Sequence, residues 1–171
     1  MFMNTIFSRT RTLAVAGVIG ASVFAVNAQA ASVTGSASAD VRTPIAITAG
    51  AAMNFGNIAV GAIGGTAVVD TADALSVTGD VSGLSGVVPA SGAFSVTGQG
   101  TSTYSITLPT TIALTSGANT MTVSALNHNA GLTPALAAGA ATFKVGGTLT
   151  AAGGQATGTY TGSYSVVVNY N

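Results

Sequence analysis

Apolar and polar residues alternate with a period of two through most of the chain after Ala30. Tyr104, Ile106 and Leu108 alternate with Ser105 and Thr107, and Met121 and Val123 lie between Thr120, Thr122 and Ser124. Phe94 and Val96 flank Ser95, and Phe143 and Val145 flank Lys144. In a strand successive side chains point to opposite faces, so these runs predict strands with one face buried and the other wet. Spacing of the helical kind is not convincing anywhere in this region. Gly and Pro punctuate the runs at Gly64-Gly65, Gly79, Gly83, Gly86, Pro89, Gly98-Gln99-Gly100, Pro109, Gly117, Gly146-Gly147 and Gly153-Gly154. Read as turns, they cut the chain into short antiparallel strands, which predicts an all-β fold, a single immunoglobulin-like β-sandwich over residues 43–171. The longest loop is expected at residues 127–139, with a single helical turn at Ala135–Ala138. High Gly with low charge also fits disorder, but regular apolar alternation argues against it.

The first thirty residues differ from the rest. Arg9 and Arg11 precede an apolar run from Leu13 to Val26, followed by Ala28-Gln29-Ala30. A cationic start, an apolar stretch and a small-x-small end predict a secretory signal peptide, residues 1–30, cleaved after Ala30. The apolar run is short of the roughly 20 residues that a membrane span needs. The expected product is exported, to the periplasm, the cell surface or the medium.

Two further alternating segments bracket the predicted sandwich. Residues 31–42 form an N-terminal extension in which Val33, Gly35, Ala37, Ala39 and Val41 share one face, and Ser and Thr occupy the other up to Asp40 and Arg42. Near the other end Tyr160, Gly162, Tyr164, Val166, Val168 and Tyr170 share a face, opposed by Thr161, Ser163, Ser165, Val167, Asn169 and Asn171. The closing segment reads as a last core strand. The opening segment, built of Gly and Ala, has little apolar area of its own; it is either an edge strand or a donor strand that completes the sheet of another subunit. Head-to-tail repetition of such a contact without ring closure builds a filament.

Composition narrows the chemistry. Of 171 residues only 5% are charged, with net charge +0, against the roughly 25% usual in soluble domains. The cations are Arg9, Arg11, Arg42 and Lys144, too few for the phosphate grip of a nucleic-acid binder. Cys is absent and His128 is the one His, so disulfide frameworks and Cys/His zinc cages are excluded. His128 reads as a solvated loop residue without the base–nucleophile partners of a triad. Lys144 belongs on the wet face of its strand. Asp70 and Asp73 are a conceivable calcium pair, but calcium takes six to eight oxygens and two Asp in a turn more often start that turn. No catalytic residue, metal ligand or cofactor site is expected, and the chain is read as non-enzymatic.

Several stretches carry a family resemblance: Thr43-Pro44-Ile45, Asn54-Phe55-Gly56-Asn57-Ile58, Phe94-Ser95-Val96-Thr97-Gly98, Tyr104-Ser105-Ile106-Thr107-Leu108-Pro109, Phe143-Lys144-Val145-Gly146-Gly147-Thr148-Leu149, and Gly158-Thr159-Tyr160-Thr161-Gly162 through Val168-Asn169-Tyr170. In order across the chain, they resemble the bacterial family termed domain of unknown function 4402. A looser resemblance, through Gly35 and the penultimate Tyr170, is to pilins of the chaperone–usher type and spore-coat U-like secreted domains, although the pilin disulfide is missing. What that resemblance implies is assembly: like subunits joined by strand addition, with a periplasmic chaperone pairing the Tyr160–Tyr170 segment and an outer-membrane usher receiving it. The expected function is a structural subunit of a surface fibre or pilus-like polymer. The alternative is a self-contained secreted or outer-membrane-associated binding module of unknown ligand.

Overall fold

The computed structural model describes residues 30–171. The chain falls into two units, residues 1–39 and Asp40–Asn171, and every described strand lies in the second. The signal segment expected at residues 1–30 falls, apart from Ala30, outside the described residues. No helix occurs among the described residues, and so none is long and apolar enough to cross a membrane.

The second unit is an all-β antiparallel sandwich. Its strands are β1 (Ala46–Ala49), β2 (Asn57–Val69), β3 (Leu75–Leu84), β4 (Gly92–Thr97), β5 (Tyr104–Thr107), β6 (Thr111–Ser116), β7 (Asn119–His128), β8 (Ala140–Ala152) and β9 (Val167–Tyr170). The long β8 organises them. Its first half pairs with β4, which pairs with β1, and its second half pairs with β2, which pairs with β3. Along its other edge β8 pairs with β7, and β7 with β6. A separate two-stranded ribbon joins β5 to β9.

The alternation read from the sequence places side chains on the expected faces. Val96, Tyr104, Met121, Val123, Phe143 and Val145 are buried. They divide between two hydrophobic clusters. One gathers Phe55, Ala67, Val69, Val81, Ile112, Met121, Val123, Leu149 and Ala151. The other gathers Val96, Tyr104, Leu136, Phe143, Val145 and Val168. Met53, Leu126 and Tyr164 pack against both, so they bridge the halves of the core.

Two glycine pairs expected as turns lie inside strands instead. Gly64-Gly65 sits in β2 and Gly146-Gly147 in β8. Gly146 lies where β8 leaves β4 and takes up β2, since Gly92 pairs with Val145 and Val69 with Gly147. A β-carbon on Gly146 would stand 2.6 Å from the Val69 carbonyl oxygen. The missing side chain is what lets the end of β2 reach β8. Gly64, at φ +78°, and Gly79, at φ +67°, flank the register shift between β2 and β3 and mark a bulge.

Three further expectations are corrected. The helical turn at Ala135–Ala138 does not form: Ala135 bridges Thr103, the Leu136 amide donates to the Ser102 carbonyl at 3.0 Å, and Leu136 is buried. Burying Leu136 in the second cluster outweighs the helix propensity of its Ala neighbours. His128 is no solvated loop residue; it ends β7, half-buried and edge-on to Phe143 at 6.0 Å. The closing segment is not one continuous strand. Thr161 bridges Thr115, the ladder resumes at Val167 opposite Thr107, and Gly162–Val166 has no strand partner. Between those anchor points the opposing chain, Leu108–Leu114, is two residues longer than Gly162–Val166. It also contains Pro109, which has no amide to donate. A ladder in one constant register is therefore excluded.

Candidate assembly surface

The closing segment is extended and keeps its two faces even where the ladder fails. Tyr160, Tyr164, Val166 and Tyr170 are half-buried and Val168 is buried, while Thr161, Ser163, Ser165, Val167 and Asn169 are exposed. Tyr160 packs on the first cluster, and its hydroxyl donates to the Ala156 carbonyl at 2.8 Å. Tyr164 stands edge-on to Phe94 at 6.1 Å, with its hydroxyl over Gly92, where a β-carbon would collide with it. Burial pushes the phenols of Tyr164 and Tyr104 above their ordinary value. Gly162 departs from its predicted face: it is exposed, with its backbone close against Ala113 and Leu114 of β6.

Val168 pairs with Ile106 and Tyr170 with Tyr104. Among the described residues β9 has a ladder on its β5 side alone, and β1 on its β4 side alone. β1 and β9 adjoin without hydrogen-bonding to each other. Ile45 and Ile47, beside and within β1, pack on the same cluster as Val166, Val168 and Tyr170. Two free strand edges thus border one apolar cluster.

The predicted N-terminal strip forms no strand. Residues 30–44 carry no strand assignment and are exposed, with Val33 at 97% and Val41 at 92%. Gly35, Ala37 and Ala39 share that exposure. Alternation alone does not make a strand when its apolar face is Gly and Ala, which have little area to bury.

Tyr170 also organises a polar cluster that alternation does not reveal. Its hydroxyl donates to the Thr43 carbonyl at 2.8 Å and accepts the Gln99 amide at 2.6 Å. The Gln99 side-chain oxygen accepts the Thr43 hydroxyl at 3.0 Å and the Thr43 amide at 3.3 Å. Gly98 leaves room for this, because a β-carbon there would strike the Tyr170 ring.

Asp70, Asp73 and Lys144 are all engaged. The Asp70 carboxylate accepts the amides of Ala72 and Ala74 at 2.8 and 2.9 Å and so closes its own turn. Asp73 has other partners: one oxygen accepts the Ser91 amide at 2.8 Å and the Ser91 hydroxyl at 2.5 Å, and the other accepts Lys144. The Lys144 ammonium, then the two Ser91 donors, hold the Asp73 carboxyl well below the usual carboxylate range. Lys144 is therefore not simply a wet-face residue; it ties β8 to the β2–β3 turn and to Ser91. His128 has a buried Nδ1 without a hydrogen-bond partner, and no carboxylate or hydroxyl orients it. Sequence reasoning missed both the Asp73–Lys144 tie and the Tyr170 cluster, since each joins residues far apart in the chain. The nearest clue was Thr43-Pro44, an extended dipeptide one residue before β1.

The family model described as Domain of unknown function (DUF4402) matches residues 45–170. The chain belongs to this family. The match runs from Ile45, just before β1, to Tyr170 at the end of β9, and so takes in the whole sandwich but not the 33–41 strip. No curated protein and no solved structure matches the chain. Membership accordingly fixes kinship and extent, and function has to be argued from the surface itself.

Proposed function

We propose that this protein is an exported, non-enzymatic structural subunit of a surface fibre, joined to like subunits by strand addition. One observation carries the reading: β9 and β1 each keep a free edge beside the same apolar cluster. An unpaired edge is a template for a further strand. The Val33–Val41 strip, with apolar residues on alternate positions and no ladder of its own, is a segment long enough to fill it. Main-chain hydrogen bonds would supply the affinity and Val33 and Val41 the side-chain contacts. A periplasmic chaperone would cover the same edges before assembly, and an outer-membrane usher would receive the subunit.

The test deletes Ser32–Asp40 from the exported protein and compares it with the intact chain by electron microscopy and by unboiled and boiled detergent gels. The intact chain is expected to run as a ladder that collapses to one band on boiling, and the deletion as monomer throughout. Fibres that survive the deletion, or an intact chain that never exceeds monomer, would overturn the reading. A second reading, a self-contained secreted binding module, draws support from the β5–β9 ribbon, which already covers the second cluster within one copy. It predicts a stable monomer.

A further inference from the structure

The two free edges beside the second cluster stand too close together to take a strand between them. Cα atoms of β1 and β9 approach within 8 Å of each other, and no ladder joins the two. A strand paired with both edges needs two interstrand spacings, about 9.5 Å in all. The seam has to widen before it can accept one.

One end of that seam is tied. Tyr170, the last residue of β9, donates its hydroxyl to the Thr43 carbonyl at 2.8 Å, just ahead of β1. The same hydroxyl accepts the Gln99 amide at 2.6 Å, and the Gln99 side chain holds the Thr43 amide and hydroxyl. Pro44 restricts Thr43 to extended backbone, so the tie is carried stiffly into Ile45 and Ile47. These two side chains meet Val166 and Val168 on the cluster below. The tie itself is polar and lies in exposed surroundings, where water can take its place without unpacking that cluster.

We infer that the Tyr170 hydroxyl is an autoinhibitory clasp, which holds the seam between β1 and β9 shut and sets how readily the sandwich accepts a further strand. The clasp rests on the strand-addition reading and adds its regulation. The acceptor has a shut and an open state, and binding draws on the open fraction alone.

The test uses the exported chain, freshly refolded to monomer, and a synthetic peptide of residues 32–42 bearing a fluorophore. Binding is followed by fluorescence anisotropy. Tyr170→Phe keeps the ring on the cluster and removes both hydrogen bonds of the hydroxyl. It is expected to bind the peptide about tenfold faster than the parent, the equivalent of about one net hydrogen bond. Gln99→Ala, in an exposed turn, frees the Thr43 amide and hydroxyl. It is expected to give a smaller rise in the same direction, and it serves if Tyr170→Phe impairs folding. A purely structural role for the hydroxyl would lower the urea midpoint and leave the binding rate alone. Equal or slower binding in the variants overturns the clasp while leaving strand addition standing. No binding by any form overturns strand addition, and the clasp falls with it.

Discussion

Gly146→Ala probes the point on which the sandwich turns. Its β-carbon would lie 2.6 Å from the Val69 carbonyl oxygen and 3.1 and 3.2 Å from the Asp70 carbonyl carbon and Cα. These are backbone atoms, so no side-chain rotation relieves the clash, and the end of β2 has to move. Overpacking of this kind costs about 1–3 kcal/mol. Displacing Val69 also strains the last rung of the β2–β8 ladder, Val69 opposite Gly147, at about 1 kcal/mol for one hydrogen bond. Replacing Gly by Ala in a strand returns about 0.5–1 kcal/mol of backbone entropy. The expected net loss is about 1–3 kcal/mol, a large share of the stability of a domain this size. Urea unfolding followed by tyrosine fluorescence measures it, as the chain has no Trp. Gly35→Ala is the control, since nothing lies within 4 Å of its β-carbon, and it should stay within about 0.5 kcal/mol of the parent. An unchanged midpoint for Gly146→Ala would refute the claim that close backbone approach at this residue lets β8 pass from β4 to β2.

The remaining predictions test the faces and the charges. Val166→Asp places a charge against the second cluster and should cost at least about 2 kcal/mol and lower the yield of soluble protein. Thr161→Asp, on the exposed face, should stay within about 0.5 kcal/mol unless that face is an assembly contact; equal yields from both variants would contradict the face assignment. Asp73→Asn should lower stability at neutral pH. The folded carboxyl is held below its unfolded value, so its contribution is present above the ordinary carboxylate range and disappears only as pH falls through the depressed value. The variant and parent unfolding midpoints should therefore differ at pH 7 and converge in strong acid; a constant difference would place the effect elsewhere. Tyr104 and Tyr164 should ionise above the ordinary value of 10.0 in a spectrophotometric titration, with stability falling as pH rises past it, because unfolding releases both phenols from burial. Four tyrosines titrating as one ordinary group would refute that burial.

In the runs with clear alternation, which side of the strand faces inward was legible in the chain alone. Phe94, Val96, Tyr104, Met121, Phe143 and Val168 all point where their period-two spacing puts them, because the pleat is a local property of extended backbone. The turn at Gly98-Gln99-Gly100 and the capping role of Asp70 were legible for the same reason: each is settled within a few residues. Tertiary structure decided the rest. Whether a glycine pair is a turn or a point of close approach depends on what lies opposite, and for Gly146 that is Val69, distant in sequence and adjacent in space. The Leu108–Leu114 segment outruns Gly162–Val166 by two residues, a mismatch that exists only once the two are paired. The Thr43–Gln99–Tyr170 cluster joins residues 56 and 127 positions apart, and the Asp73–Lys144 tie spans 71. Spacing along a chain fixes the direction of a side chain, but partners are chosen by whichever surfaces the closed core brings within reach.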